Sequence, residues 1–119
     1  PDTIFLGHAP GFWAHISGDD CYCKESYPKG PVLPGGRLLT ALRQYPNLWC
    51  DISAGSGHNA LTRDLAFSKD FLLEFQGRIV YGRDYFDNRH QELLQSLDLP
   101  RETLEKIYSG NALKLVRQV

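Results

Sequence analysis

Residues 78–88 read RIVYGRDYFDN, and this stretch decides the fold prediction. Its apolar run at 79–81 consists of β-branched and aromatic residues, which is typical of a strand buried in a parallel sheet. The run ends at Gly82, and Asp84 then places a carboxylate where the strand emerges. Aspartate commonly opens a turn or caps a following helix. The charge therefore indicates a functional site only if the rest of the chain supports one.

Two earlier stretches predict two more strands, TIFLGH at 3–8 and NLWCDIS at 47–53. Helical patterns follow the first two strands, in GGRLLTALRQYP at 35–46 and in NALTRDLAFSKDFLLEFQG at 59–77. Two or three short helices follow the third strand, over 88–116. This alternation predicts right-handed parallel β/α units, and hence an α/β fold with three parallel strands.

One segment interrupts the alternation. Residues 9–36 are rich in Gly, Pro and charged residues and carry four aromatic side chains. Loops of this length inside compact domains are usually lids or binding loops. This one leaves the C-terminal end of the first strand, where parallel α/β folds place their ligands. We therefore predict that 9–36 is a lid or a binding loop.

The composition limits the classes of function. The 119 residues fit one domain, and 13 Lys and Arg against 14 Asp and Glu, without a basic patch, argue against a nucleic-acid partner. No apolar run approaches the length of a membrane span, which argues against a membrane partner. The closely spaced Cys21 and Cys23 favour reduced thiols in a cytoplasmic protein, with a redox pair or an incidental metal contact as the alternative. The sequence begins at Pro1 and contains no Met, so we expect either a trimmed product or one piece of a longer protein.

Polar side chains mark the ends of all three predicted strands. His8 ends the first, Asp51 lies near the end of the second, and Asp84 ends the third. Because side chains alternate along a strand, His8 and Asp84 can converge at one rim if their strands are neighbours. A carboxylate and an imidazole there can bind a metal, polarise its water and transfer protons.

Each strand-end residue also has an ordinary structural explanation. A histidine at a strand end is commonly a satisfied polar group, and Asp84 can cap the helix that starts near Asn88. Asp51 is expected to bond to nearby backbone. His58, beside Gly and Ser, is expected in a solvated loop, and His90 on the exposed side of a helix.

Four motifs give these residues a context: IFLGHAPGFW, YPNLWCDISAGSG, RIVYGRDYF and LEKIYSGNALKL, at 4–13, 45–57, 78–86 and 104–115. In order and spacing they resemble the C-terminal part of the amidohydrolase superfamily. The closest likeness is to the amidohydrolase-related group that includes decarboxylases and lactone hydrolases. The resemblance implies a TIM (β/α)8 barrel with one or two divalent metals at its C-terminal mouth, in which these strands are the sixth, seventh and eighth.

The resemblance also implies roles for two residues. Asp84 matches the last-strand aspartate, which binds metal and can take the proton of the attacking water. His8 matches the sixth-strand histidine, which binds the second metal in binuclear members and acts on substrate or water in mononuclear ones. Arg83 departs from the Thr or Ser that members usually carry, and the family's first-strand His-x-His pair and fifth-strand His have no counterpart. Because such a barrel usually needs about 250 residues, residues 1–119 are expected to be a partial, C-terminal domain.

Our first hypothesis is therefore the C-terminal part of a metal-dependent hydrolase that acts on a small-molecule substrate, with zinc as the expected metal. Asp84 is the metal ligand and base, and His8 is a ligand or orients water or substrate. Trp13 and His15 belong to the substrate wall. By itself the chain is expected to bind metal poorly and to be inactive, because it offers two ligands where zinc normally takes three or four from the protein.

The alternative hypothesis is a non-catalytic, truncated α/β module that folds by self-association. A three-stranded parallel sheet leaves two open edges, and one apolar face carrying Ile4, Leu6 and Val80 lacks helices. We therefore expect a homo-oligomer, unless the 9–36 loop folds across that face. A flavodoxin-like nucleotide binder is disfavoured because GSG at 55–57 lacks the spacing of a phosphate-binding loop.

Overall fold

The computed structural model describes residues 3–117, apart from the side chains of residues 20 and 22, and its centre is a three-stranded parallel sheet. The strands are β1 (Phe5–Gly7), β2 (Leu48–Asp51) and β3 (Ile79–Val80). β2 lies between β1 and β3, so the strands lie in space in the order in which they occur in the chain. This confirms the predicted α/β fold of parallel β/α units and is consistent with part of a TIM barrel.

Helices connect and cover the strands. The α-helices of the described residues are α1 (Pro10–Trp13), α2 (Arg37–Gln44), α3 (Gly55–Thr62), α4 (Leu65–Glu74), α5 (Arg89–Ser96), α6 (Arg101–Glu105) and α7 (Asn111–Arg117). Short 3-10 turns occupy Ala14–Ile16 and Asp20–Cys23, and a π-helical turn at Lys106–Gly110 joins α6 to α7. Within residues 3–117, no helix has the length and apolarity that crossing a membrane requires.

The helical pattern at 59–77 corresponds to two helices rather than one. α3 begins at Gly55, before the pattern, and α4 begins after Asp64. The Asp64 carboxylate accepts the N–H of Phe67 at 3.1 Å, and this N-cap starts a second helix within the pattern. His58 therefore lies in α3, and the prediction of a solvated loop at that position is wrong.

The two faces of the sheet differ in their covering. Cys50, Ile52 and Ile79 are fully buried in the core that the helices form with one face. On the opposite face, Leu6 is 48% exposed, whereas Val80 is only 8% exposed. The expected open face therefore exists at Leu6, on an outer strand. It does not extend to Val80, which the surrounding chain covers.

The long loop at 9–36 is tied down rather than free. At its stem, the backbone N–H of Leu33 donates to the hydroxyl of Ser17 at 2.9 Å. At its middle, the guanidinium of Arg63 donates to the carboxylate of Asp19 at 3.0 Å. Because Arg63 follows α3, the loop is held against the helices and leaves Leu6 half exposed. Its role as a lid or binding loop stays a prediction.

Candidate active site

A histidine and an aspartate meet at the C-terminal ends of β1 and β2. Nδ1 of His8 lies 2.9 Å from Oδ2 of Asp51, and the other Asp51 oxygen accepts the N–H of Ser53 at 2.8 Å. A ring nitrogen that faces a carboxylate carries the proton, which leaves Nε2 as the basic nitrogen. Asp51 therefore fixes both the tautomer and the orientation of His8.

Two serines surround the same histidine. The hydroxyl of Ser53 lies 3.5 Å from Nδ1 of His8, and the hydroxyl of Ser56 donates to the His8 carbonyl at 3.1 Å. In a Ser–His–Asp triad the serine and the carboxylate lie on opposite ring nitrogens. Here Ser53 and Asp51 share Nδ1, so this arrangement does not activate a serine nucleophile.

Asp84 and His8 are not on neighbouring strands, because β2 lies between β1 and β3. Adjacent strands are about 4.8 Å apart, so the condition for the predicted convergence of the two side chains, that their strands are neighbours, is not met in this sheet. Ser53 links them instead: its carbonyl accepts the backbone N–H of Asp84 at 3.3 Å. A Cβ at Gly82 would lie 3.2 Å from the Ser53 Cβ, so the glycine leaves room for this link.

The Asp84 side chain is available for chemistry. It is exposed, and its carboxylate accepts no hydrogen bond from the described side chains and backbone. Its carboxylate and Nε2 of His8 are both suitable metal ligands. No group of three or more His, Cys, Asp and Glu residues in the described part of the chain could hold a metal by itself. The residues present therefore fit a metal site only in part.

Trp13 lies beneath the His8–Asp51 pair. Its indole N–H donates to the Asp51 carbonyl at 3.1 Å, and its side chain is 1% exposed within the hydrophobic core. The tryptophan thus supports the end of β2 and faces no solvent in this structure. Its part in a substrate wall stays a prediction.

His15 lies apart from the pair. It borders a cavity of about 240 Å³ together with Phe12 and with Arg37 and Leu38 of α2. Leu48, which also lines this cavity, begins β2, whereas Asp51 ends it. The structure therefore does not bring His15 together with His8, and its role in substrate binding also stays a prediction.

Two other histidines form a second cluster. His90 is 4% exposed, and its Nε2 lies 3.0 Å from the carbonyl of Ala54. Its ring meets that of His58 edge to face, with 5.3 Å between the centroids. The prediction of a surface position for His90 is wrong because α5 turns this residue towards α3. Burial, reinforced by the neighbouring His90, lowers the pKa of His58.

Fold and site together define a class of protein: parallel β/α units that carry carboxylate and imidazole groups at the C-terminal ends of their strands. A comparison with known families finds a match to the family described as Amidohydrolase over residues 30–118. The chain belongs to the amidohydrolase family, which confirms the resemblance of its motifs. The matched segment contains Asp51 and Asp84 and begins after His8. No curated protein and no solved structure matches the chain.

Proposed function

We propose that this chain forms part of the active site of a metal-dependent hydrolase, at the C-terminal end of the sheet. The observation that carries the proposal is the His8–Asp51 pair, which fixes an imidazole at 2.9 Å from a carboxylate. Membership of the amidohydrolase family supports it, because that family generally uses divalent metals. Asp84, exposed at the end of the next strand, adds a second carboxylate.

His8 acts through Nε2. Because Asp51 keeps the proton on Nδ1, Nε2 can accept a proton from water or hold a metal. Asp51 is therefore a positioning residue. Its sequence context predicted only a bond to nearby backbone and gave no sign of this role.

Asp84 acts as a proton acceptor and metal ligand. Its backbone is anchored to Ser53, while its carboxylate has no hydrogen-bond partner in the described part of the structure. A divalent metal, for which zinc is our expectation, lowers the pKa of its bound water towards about 7 when present. Asp84 and His8 would hold it together with ligands from the other strands of a complete barrel, because zinc sites normally have at least three protein ligands.

The test compares Asp84→Asn with Asp87→Asn in the complete barrel. Both changes remove one negative charge from the loop after β3, but Asp87 pairs with Arg89 at 2.7 Å. Hydrolysis of lactone and amide probes, measured with zinc, should fall by about 10²–10⁴-fold in Asp84→Asn only. Zinc content is measured in parallel by mass spectrometry. Wild-type turnover of Asp84→Asn at matched zinc loading would refute the assignment.

The second candidate is a non-catalytic α/β module that folds by self-association. The observation that favours it is the exposed apolar edge of the sheet, where Phe5 is 59% and Leu6 is 48% exposed. Under this alternative, purified wild-type protein carries no zinc, and Asp84→Asn changes neither zinc content nor turnover. The same two measurements therefore separate the two functions.

A further inference from the structure

The turn between β2 and α3 is held by a histidine from another helix. His90 lies on α5, is 4% exposed, and places Nε2 at 3.0 Å from the carbonyl oxygen of Ala54. Because a carbonyl oxygen only accepts hydrogen bonds, Nε2 of His90 carries the proton and donates it. The same oxygen accepts the backbone N–H of His58 at 3.2 Å, which is the first hydrogen bond of α3. Ala54 is the N-cap of α3 and offers no side-chain cap, so the ring of His90 fixes the point at which this helix begins.

The turn that His90 holds carries the candidate active site. Ser53 directly precedes Ala54, and its N–H donates to the carboxylate of Asp51 at 2.8 Å. The carbonyl of Ser53 accepts the N–H of Asp84 at 3.3 Å, and its hydroxyl lies 3.5 Å from Nδ1 of His8. One residue of the turn therefore contacts all three polar residues of the site.

The first turn of α3 is also tied to the site. The hydroxyl of Ser56 donates to the carbonyl of His8 at 3.1 Å. A Cβ at Gly57 would lie 3.0 Å from both the Cα and the carbonyl oxygen of Ile52, so the start of the helix rests directly on the backbone of the turn. A displacement of the Ala54 carbonyl would therefore disturb the end of β2 and the start of α3 together.

We propose that His90 is a positioning residue for the candidate active site. It holds the carbonyl of Ala54 and thereby fixes Ser53, which in turn orients Asp51 and anchors the backbone of Asp84. The inference rests on the proposed function, because it assigns His90 a role towards that site. It acts from outside the site, through the backbone of the turn, in the manner of the outer residues that orient the ligands of a metal centre.

The neighbouring histidine allows this role to be separated from packing alone. The ring of His58 meets that of His90 edge to face, with 5.3 Å between the centroids. His90, however, is the member of the pair whose ring reaches the carbonyl of Ala54. Replacing His58 by phenylalanine changes the same aromatic contact and keeps that hydrogen bond, which makes it the matched control.

Hydrogen exchange in the purified protein tests the hold on the turn, in wild type, His90→Phe, His90→Gln and His58→Phe. Phenylalanine keeps a ring but loses the donor, whereas glutamine supplies an amide N–H in its place. The exchange rate of the Ser53 amide is compared with that of Cys50, which bonds to the carbonyl of Arg78 at 2.9 Å within the sheet. In His90→Phe, Ser53 should exchange at least about tenfold faster relative to Cys50, because a buried acceptor loses its donor. His90→Gln and His58→Phe should keep the wild-type ratio.

Turnover of the complete barrel at matched zinc loading tests the role towards the site. The kcat of His90→Phe should fall by about tenfold or more with KM little changed, and His90→Gln should restore it. If the barrel shows no zinc-dependent turnover at all, the proposed function fails, whereas the exchange ratio still decides whether His90 fixes the turn.

Several results would overturn the proposal. They are an unchanged exchange ratio in His90→Phe, equal acceleration of Ser53 and Cys50, the same acceleration in His58→Phe, and an unchanged kcat despite faster exchange of Ser53. Should His90→Phe fail to fold, nitrogen-15 NMR of the wild-type protein at neutral pH decides. The ring of His90 should then carry its proton on Nε2, and a proton on Nδ1 alone overturns the proposal.

Discussion

Replacing Arg63 by methionine should destabilise the protein by about 3 kcal/mol, because its guanidinium holds the long loop from a buried position. The Arg63 side chain is 2% exposed and that of its partner Asp19 is 16% exposed. The guanidinium also donates to the carbonyls of Gly30, Lys29 and Pro31, at 2.9, 3.3 and 3.3 Å. One side chain therefore serves four acceptors.

The magnitude follows from what the substitution leaves behind. Removing one partner of a buried ion pair costs about 3–5 kcal/mol, and each hydrogen bond to a charged group contributes about 1.5–3 kcal/mol. Asp19 keeps two other donors, the Ser17 hydroxyl at 2.7 Å and the Cys21 N–H at 3.1 Å. Because the Asp19 carboxylate keeps these two hydrogen bonds, the expected loss of stability lies at the lower end of the range of about 3–5 kcal/mol.

Arg43→Met is the matched control. Arg43 also forms a two-point ion pair, with Glu74 at 2.7 and 3.0 Å, but these side chains are 57% and 42% exposed. Exposed pairs contribute about 1 kcal/mol or less. Urea unfolding at pH 7 measures both variants, and the m-value should stay constant. Equal losses for the two variants, or a loss below about 1 kcal/mol for Arg63→Met, would refute the argument from burial.

Two further predictions concern histidines. Asp51→Asn should lower turnover in the complete barrel by at least about tenfold, because an amide can hold the wrong tautomer of His8; unchanged kcat, or a change in KM alone, contradicts this role. The lowered pKa of His58, caused first by burial and then by His90, means that the folded state favours the neutral ring. The neutral His58 ring contributes its full stabilisation to the folded state above the ordinary pKa of about 6.5. This contribution is lost as the pH falls towards the lowered pKa of His58 in the folded state. Wild type should therefore lose more stability in urea between pH 7.5 and 5.5 than His58→Gln does, with Arg89, Asp87 and Lys29 as the other charges that act on this ring.

The sequence predicted the strands well because each is a short apolar run between turn residues and a helical pattern. It could not predict the limits of the helices around residue 64. Asp64 lies within a pattern of apolar residues, and only the bond from Phe67 makes it an N-cap. The burial of His90 could not be predicted either, because it depends on how α5 is rotated against α3.

The candidate site was only partly predictable for a similar reason. His8 and Asp84 could be placed at strand ends from alternation alone, but their separation depends on β2 lying between them. Asp51 was expected to bond to backbone, and it does so with Ser53. Its second oxygen reaches His8, a residue 43 positions away. Contacts between distant segments of this kind leave no local pattern in a single sequence.

Hydrogen bonds from the C-terminal part of the chain already occupy part of the outer edge of β3, and this bears on the proposed function. In a closed barrel every strand pairs on both sides, so a strand beside β3 would need the outward groups of Ile79 and Tyr81. Two of these groups, the Ile79 C=O and the Tyr81 N–H, bond to Asn111 and Ile107, next to and within the π-helical turn at Lys106–Gly110. Completing the barrel therefore exchanges two hydrogen bonds for two others. Because each contributes a similar net free energy of about 1 kcal/mol, we expect the exchange to be close to neutral, so these two bonds do not by themselves oppose the pairing of a further strand with β3.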